Sequence, residues 1–188
     1  MLNVANLLTL GRLLLVPCFL VASLRGMWTA AFVIFVSAAV TDILDGMIAR
    51  RFNLRSRLGA ILDPAADKTL MVCGFLFYTL SDRLPLVTIP TWLTFTVFIR
   101  DFLIAFFAYL LYTRIHVKRF PPSILGKIST VTQAVTLGCA IAVNGFLPQL
   151  LWLAHVLFHV ALLTTLASAW DYLRRGEKLL DNGLATQS

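Results

Sequence analysis

Residues 42–67 read DILDGMIARRFNLRSRLGAILDPAAD and contain four of the nine acidic residues in this 188-residue chain. The four acids are Asp42, Asp45, Asp63 and Asp67, and apolar segments lie on both sides of the stretch. On insertion scales each acid inside a membrane costs roughly 2.5–3.5 kcal/mol, so four together would cost on the order of 10 kcal/mol. The stretch therefore predicts that something neutralises these charges, and a divalent cation is the obvious candidate.

The composition of the whole chain is that of a membrane protein. Hydrophobic residues make up 59% of the sequence, charged residues only 13%, and the mean hydropathy is +0.85. A soluble domain usually has about 25% charged residues. Apolar runs of about 20 residues recur along the chain, as expected of membrane-spanning helices. We therefore expect an all-α integral membrane protein in which residues 1–188 form one domain.

The apolar runs predict a bundle of six transmembrane helices. The chain begins with a short amphipathic start, because Asn6, Thr9 and Arg12 share one helical face. The predicted spans cover about residues 7–24, 28–51, 59–80, 91–112, 124–143 and 150–172.

The basic residues predict the orientation of this bundle. The net charge is +7, and most basic residues lie in the second-to-third loop, the fourth-to-fifth loop and the C-terminal tail. Positively charged loops remain on the cytoplasmic side of membranes, so both termini and the acidic stretch are expected there. The basic residues thus indicate topology and lipid-headgroup contacts rather than a nucleic-acid partner.

The spacing of the four acids predicts that they converge. Asp42 and Asp45 are three residues apart on one helix face, and Asp63 and Asp67 are four residues apart on another. The short connection makes the two helices antiparallel neighbours. Oxygen ligands without histidine or thiolate favour Mg²⁺, Mn²⁺ or Ca²⁺ over Zn²⁺. Four carboxylates suit two metal ions about 3.5–4 Å apart, an arrangement that typically clamps a phosphoryl group.

Residues beside the acids indicate what the metals hold. Gly46, Ala49 and Gly59 are small and allow a bulky ligand to approach the helix backbones. Arg50 can bind a diphosphate through two parallel hydrogen bonds. Together these features predict a site for a nucleotide diphosphate.

The full spacing D-x2-D-G-x2-A-R-x8-G-x3-D-x3-D resembles the signature of the CDP-alcohol phosphotransferase family of integral membrane enzymes, also called CDP-alcohol phosphatidyltransferases. All eight fixed positions of the signature are present, from Asp42 to Asp67. The six-span layout extends the resemblance over nearly the whole chain. The start of the chain, from Asn6 to Arg12, is similar to the N-x2-T-x2-R pattern of the family.

The resemblance implies an enzyme that moves a phosphatidyl group from CDP-diacylglycerol to an alcohol and releases CMP. It implies a homodimer that uses Mg²⁺ or Mn²⁺, with two ions bound. The metal ligands that it implies are Asp42, Asp45, Asp63 and Asp67. The residues that it implies for the CDP moiety are Gly46, Ala49, Arg50 and Gly59. Asp67 would also be the general base for the acceptor hydroxyl.

Residues outside the signature are expected to determine which alcohol is the acceptor. A phosphorylated acceptor needs a basic pocket, for which Arg57, Arg100 and Lys127 are the candidates. The segment 123–133 is similar to the S-x2-G-K-x2-T-x2-Q segment of the family's phosphatidylglycerophosphate synthases, which favours glycerol 3-phosphate. The phosphatidylglycerophosphate synthases commonly have Arg-Glu at the position of Arg100-Asp101. The pair Arg-Asp is instead similar to the family's cardiolipin synthases, so phosphatidylglycerol is the alternative acceptor.

Two other interpretations of the acidic stretch compete with an enzyme. The acids could simply form ion pairs with the loop arginines, or they could line a cation pathway in a transporter. Transport acids tend to be spread through the depth of the membrane, whereas these four are clustered at one interface. Release of CMP distinguishes the transferase from the transporter.

Overall fold

The structure is a computed structural model, and it describes the backbone at residues 4–52, 59–115 and 123–185. Within these ranges it describes all side chains except those at 4–10, 12, 42–52, 59–67, 108, 111, 112, 114, 115 and 177–185. The described residues form six α-helices and one short 3-10 helix, with no strand among them, so the predicted all-α class is confirmed. The elements are α1 (Val4–Leu24), α2 (Trp28–Phe52), α3 (Gly59–Leu80), α4 (Thr91–Ile115), α5 (Ile124–Gly145), the 3-10 helix Pro148–Leu150 and α6 (Leu151–Ala185).

Two helical segments in the described part of the chain are long and apolar enough to cross a membrane. They are Ile124–Gly145 and Pro148–Gly176. Shorter apolar segments occur at Leu13–Leu24, Trp28–Thr41 and Lys68–Leu80. Six helices are therefore present, while six membrane crossings remain a prediction.

The last helix is much longer than its apolar span. We expected the span to end near Tyr172, but α6 continues to Ala185. The added turns contain Arg174, Arg175 and Lys178, which are polar but favour helix. Hydropathy marks where a helix can leave the membrane, whereas helix propensity and hydrogen bonding decide where it ends.

The chain forms two compact units. The first comprises Met1–Ile89 and Leu137–Ala154. In it, α1 packs against α2 and α3, and α2 also contacts α3. Phe19, Phe75 and Tyr78 are fully buried, and the rings of Phe19 and Tyr78 stack with centroids 6.4 Å apart. This aromatic core joins α1 to α3, and Phe35 of α2 lies against Phe19 with ring centroids 6.3 Å apart.

Two short connections of the first unit are fixed by specific groups. Gly26 ends the α1–α2 turn with a φ of 70°, a left-handed conformation that glycine adopts without steric cost. Asn144, near the end of α5, accepts hydrogen bonds from the backbone N–H groups of Leu86 and Val87 at 3.0 and 3.1 Å. Its amide donates to the carbonyl of Val87 at 2.8 Å. One buried side chain thereby satisfies the backbone of the α3–α4 connection.

The second unit comprises Pro90–Thr136 and His155–Ser188. Its α5 and α6 segments meet through buried hydroxyl and amide groups. Ser129 and Thr165 lie 3.2 Å apart, and the amide of Gln133 donates to both of their hydroxyls. Thr132 and Thr164 form a second hydroxyl pair at 2.8 Å. Such pairs hold helices together where an apolar environment offers no competing water.

Candidate functional site

The signature residues occupy the ends of two contacting helices. Asp42, Asp45, Gly46, Ala49 and Arg50 lie in the C-terminal part of α2. Gly59 is the first residue of α3, and Asp63 and Asp67 follow in its first turns. Arg57 lies in the connection 53–58, which is outside the described residues, as are the side chains of 42–67. The metal-ligand, base and CDP assignments therefore stay predictions.

The backbone positions of the acids are compatible with one site. Asp42 and Asp45 precede the end of α2 by about 15 and 10 Å along its axis, at a rise of 1.5 Å per residue. Asp63 and Asp67 follow the start of α3 by about 6 and 12 Å. The two pairs are therefore separated from residues 53–58 by overlapping lengths of helix, and the two helices contact each other.

The donor set fits a hard divalent cation. The stretch 42–67 offers four carboxylates and contains neither histidine nor cysteine. Carboxylate oxygens are the ligands that Mg²⁺ and Mn²⁺ prefer. Among the side chains that the structure describes elsewhere, no group of three or more His, Cys, Asp or Glu could hold a metal ion. The acidic stretch is thus the candidate metal centre.

Arg100, one of the predicted acceptor residues, is buried within the second unit. Only 6% of its surface is exposed. Its Nε and Nη2 donate to the hydroxyl of Ser168 on α6 at 3.2 and 2.9 Å. Nη2 also donates to the carbonyl of Gly126 on α5 at 3.2 Å, and Nη1 pairs with the carboxylate of Asp101 at 2.8 Å. One guanidinium therefore connects α4, α5 and α6.

Lys127, the other described acceptor candidate, is exposed in the first turn of α5. The residue before the helix, Ser123, is fully buried, and its hydroxyl accepts from the N–H of Gly126 at 2.8 Å. This is the usual hydrogen bond of a serine N-cap. The N–H of Lys127 donates to the carbonyl of Ser123 at 3.1 Å. The turn that carries Lys127 is therefore well ordered by its own capping bonds.

Two residues of this cluster were missed by the sequence reasoning. Tyr172 accepts a hydrogen bond from the N–H of Ser123 at 3.2 Å, and its ring lies 6.0 Å from the guanidinium carbon of Arg100. Ser168 binds Arg100 directly. Both polar residues stand in an apolar span, which is the signal that could have singled them out.

The signature also agrees with comparisons against known proteins. The family model described as CDP-alcohol phosphatidyltransferase matches residues 2–167 of the chain. A protein of Mycobacterium tuberculosis named "Probable phosphatidylglycerophosphate synthase" is 33% identical over 183 residues, covering 92% of this chain and 81% of that protein.

Two enterobacterial proteins are similar at a slightly higher identity. The proteins of Shigella flexneri and Escherichia coli named CDP-diacylglycerol–glycerol-3-phosphate 3-phosphatidyltransferase are each 36% identical over 177 residues. These matches cover 91% of this chain and 93% of each relative. The similarity therefore extends over nearly the full length of this chain and of each relative.

Proposed function

The chain belongs to the CDP-alcohol phosphatidyltransferase family, and from that membership we propose that it transfers a phosphatidyl group from CDP-diacylglycerol to glycerol 3-phosphate. The products are phosphatidylglycerophosphate and CMP. The observation that carries the proposal is the complete eight-residue signature on the two contacting helices α2 and α3. Relatives at 33–36% identity that carry the matching names support the choice of donor and acceptor.

The proposed chemistry assigns a task to each acid. When bound, the divalent cations, proposed as two Mg²⁺ or Mn²⁺ ions, neutralise the diphosphate and stabilise the leaving phosphate. Asp42, Asp45, Asp63 and Asp67 hold them. Asp67 also takes the proton of the acceptor hydroxyl. The hydroxyl oxygen bonds to the phosphorus that carries the diacylglycerol, and the bond from that phosphorus to the bridging oxygen breaks.

The CDP moiety is proposed to lie against the small residues of the signature. Gly46, Ala49 and Gly59 leave room for it beside the helix backbones, and Arg50 binds its phosphates. Arg57, Arg100 and Lys127 are proposed for the phosphate of the acceptor. Since Arg100 is engaged within the protein, Lys127 is the described residue whose exposure suits direct contact with a ligand.

Phosphatidylglycerol remains the second candidate acceptor because Asp101 stands where the related synthases commonly have glutamate. The test is a panel of acceptors supplied to the purified protein with CDP-diacylglycerol, with CMP and lipid products measured by mass spectrometry. Phosphatidylglycerophosphate should form only with glycerol 3-phosphate. Cardiolipin as the sole product would identify the alternative, and absence of CMP with every alcohol would reject the transferase.

We also propose that the chain crosses the membrane six times, with the acidic stretch and both ends on the cytoplasmic side, and that it acts as a homodimer. The family is membrane-embedded, and the concentration of basic residues in the second-to-third and fourth-to-fifth loops and the C-terminal tail supports this orientation. In a variant whose three cysteines are replaced, a new cysteine in the 51–58 loop should be labelled only from the cytoplasmic side of sealed vesicles. One at position 82 should be labelled only from the opposite side. Reversed labelling would contradict the proposed orientation.

A further inference from the structure

The guanidinium of Arg100 is held by residues from three helices of one unit. Its neighbours are Asp101 on α4, the Gly126 carbonyl on α5, and Ser168 and Tyr172 on α6. A buried cation is tolerated only where hydrogen bonds replace its lost hydration. The planar fork of arginine fixes the directions of these bonds. The cluster therefore sets the relative positions of α4, α5 and α6 around it.

Tyr172 also determines where α5 begins. Its hydroxyl accepts the N–H of Ser123, the residue whose own hydroxyl caps the first turn. Gly126 packs against the same ring, since a Cβ at that position would lie 2.9 Å from the Tyr172 hydroxyl. The carbonyl of Gly126 accepts from Arg100 and from the hydroxyl of Thr130 at 3.2 and 3.0 Å. The first turn of α5 is thus held from the side by α6 and through Arg100 by α4.

Lys127 directly follows Gly126, so whatever fixes Gly126 fixes the origin of the Lys127 side chain. Lys127 is exposed, while Gly126 is buried and the peptide group between the two residues is hydrogen-bonded on both sides. A lysine binds phosphate as a compact charge on a flexible stem. Its contribution to binding therefore depends on where the backbone places that stem, and small displacements of positioning groups reduce rates strongly.

We propose that Ser168 and Tyr172 are positioning residues for the acceptor. They hold Arg100 and the first turn of α5 so that Lys127 meets the phosphate of the acceptor alcohol. Neither residue touches substrate. This inference rests on the proposed function, because it takes Lys127 as the group that binds the acceptor phosphate.

The first test compares Michaelis constants for the two substrates in the full-length protein purified in detergent. Tyr172→Phe removes one buried hydrogen bond and Ser168→Ala removes two, so each should raise the KM for glycerol 3-phosphate roughly tenfold. The KM for CDP-diacylglycerol should stay within about twofold, as expected of a folded enzyme with an intact donor site. Tyr109→Phe is the matched control, since Tyr109 is 67% exposed, and it should change neither constant.

The second test is a double-mutant cycle with Lys127→Gln. If Tyr172 acts through Lys127, then in the Lys127→Gln background Tyr172→Phe should raise the KM for glycerol 3-phosphate by less than about twofold. A further tenfold rise in this KM would overturn the positioning role, while the proposed function would be unaffected. An equal rise in both Michaelis constants would also overturn it, since it would indicate general loosening of the fold. Should Tyr172→Phe fail to fold, the cycle with Ser168→Ala decides.

If the proposed function is wrong, the experiments give a different result. The wild-type protein would then release no CMP with glycerol 3-phosphate, whatever the variants do. If the wild type is active but Lys127→Gln leaves the acceptor KM unchanged, Lys127 is not the acceptor ligand. The positioning role is overturned with it, while the transferase proposal survives.

Discussion

The acidic stretch and the Arg100 cluster handle charge in opposite ways. The stretch 42–67 holds four carboxylates on two helix ends in the spacing of the family signature, and the family is generally dependent on divalent metals. The cluster surrounds one guanidinium with a carboxylate, a hydroxyl, a carbonyl and an aromatic ring. The first region is therefore expected to be completed by a ligand, whereas the second is completed by the protein itself. Substitutions should accordingly affect chemistry in one region and stability or substrate positioning in the other.

Metal removal should separate the two regions most sharply. Chelation with EDTA is expected to abolish CMP release, and Mg²⁺ or Mn²⁺ should restore it, because the donor set lacks any soft ligand. The hydrogen bonds of the Arg100 cluster should be unaffected, since the cluster needs no ion. Full activity in exhaustively chelated protein would contradict the metal centre.

The next largest effect concerns the division of work among the acids. Asp67→Asn removes a base as well as a ligand charge, so the rate should fall roughly 10²–10⁴-fold and added Mg²⁺ should not restore it. Asp42→Asn only weakens metal binding, so raised Mg²⁺ should recover part of the rate by mass action. Both variants should still bind CDP-diacylglycerol. Near-normal turnover of Asp67→Asn at saturating metal would show that another group takes the proton.

A buried and an exposed arginine offer a matched test of the cluster. Arg100→Lys keeps the charge but cannot reach Ser168, Gly126 and Asp101 together, so it should lower the free energy of unfolding by roughly 2–3 kcal/mol. Arg175→Lys alters an exposed pair with Asp171 and should cost less than about 1 kcal/mol. Unfolding in detergent, followed by tryptophan fluorescence, measures both. Equal losses of unfolding free energy would show that the buried hydrogen bonds of Arg100 stabilise the protein no more than the exposed pair does.

The smallest expected effect compares two glycines of α5. Gly126→Ala forces a Cβ against Tyr172 at 2.9–3.0 Å, so it should destabilise the protein by about 1–3 kcal/mol. Gly138→Ala meets Phe35 at an ordinary 3.4 Å and should be close to neutral. Unfolding in detergent, followed by tryptophan fluorescence as for the arginine variants, distinguishes the two glycine variants. A neutral Gly126→Ala would show that Tyr172 can move, which weakens its positioning role.

Helix positions were largely predictable from local pattern. The apolar runs predicted six helices near their observed places, and Arg25-Gly26 predicted the turn that Gly26 makes. The last apolar span was predicted to within a few residues of the segment Pro148–Gly176, while α6 itself continues to Ala185 because polar helix-forming residues extend the helix after the apolar run stops. The single-domain organisation and the roles of the signature side chains stay predictions.

The sequence by itself determined that the two acids of each pair share a helix face, because residues three and four apart in a helix do so whatever the helix packs against. Only the tertiary structure decided the surroundings of Arg100. Its partners Gly126 and Ser168 are 26 and 68 positions away, and nothing in local spacing selects them from the other polar residues of two helices. Hydrogen bonds between helices depend on the packing of whole elements, whereas the spacing of a motif within one helix is fixed by the backbone.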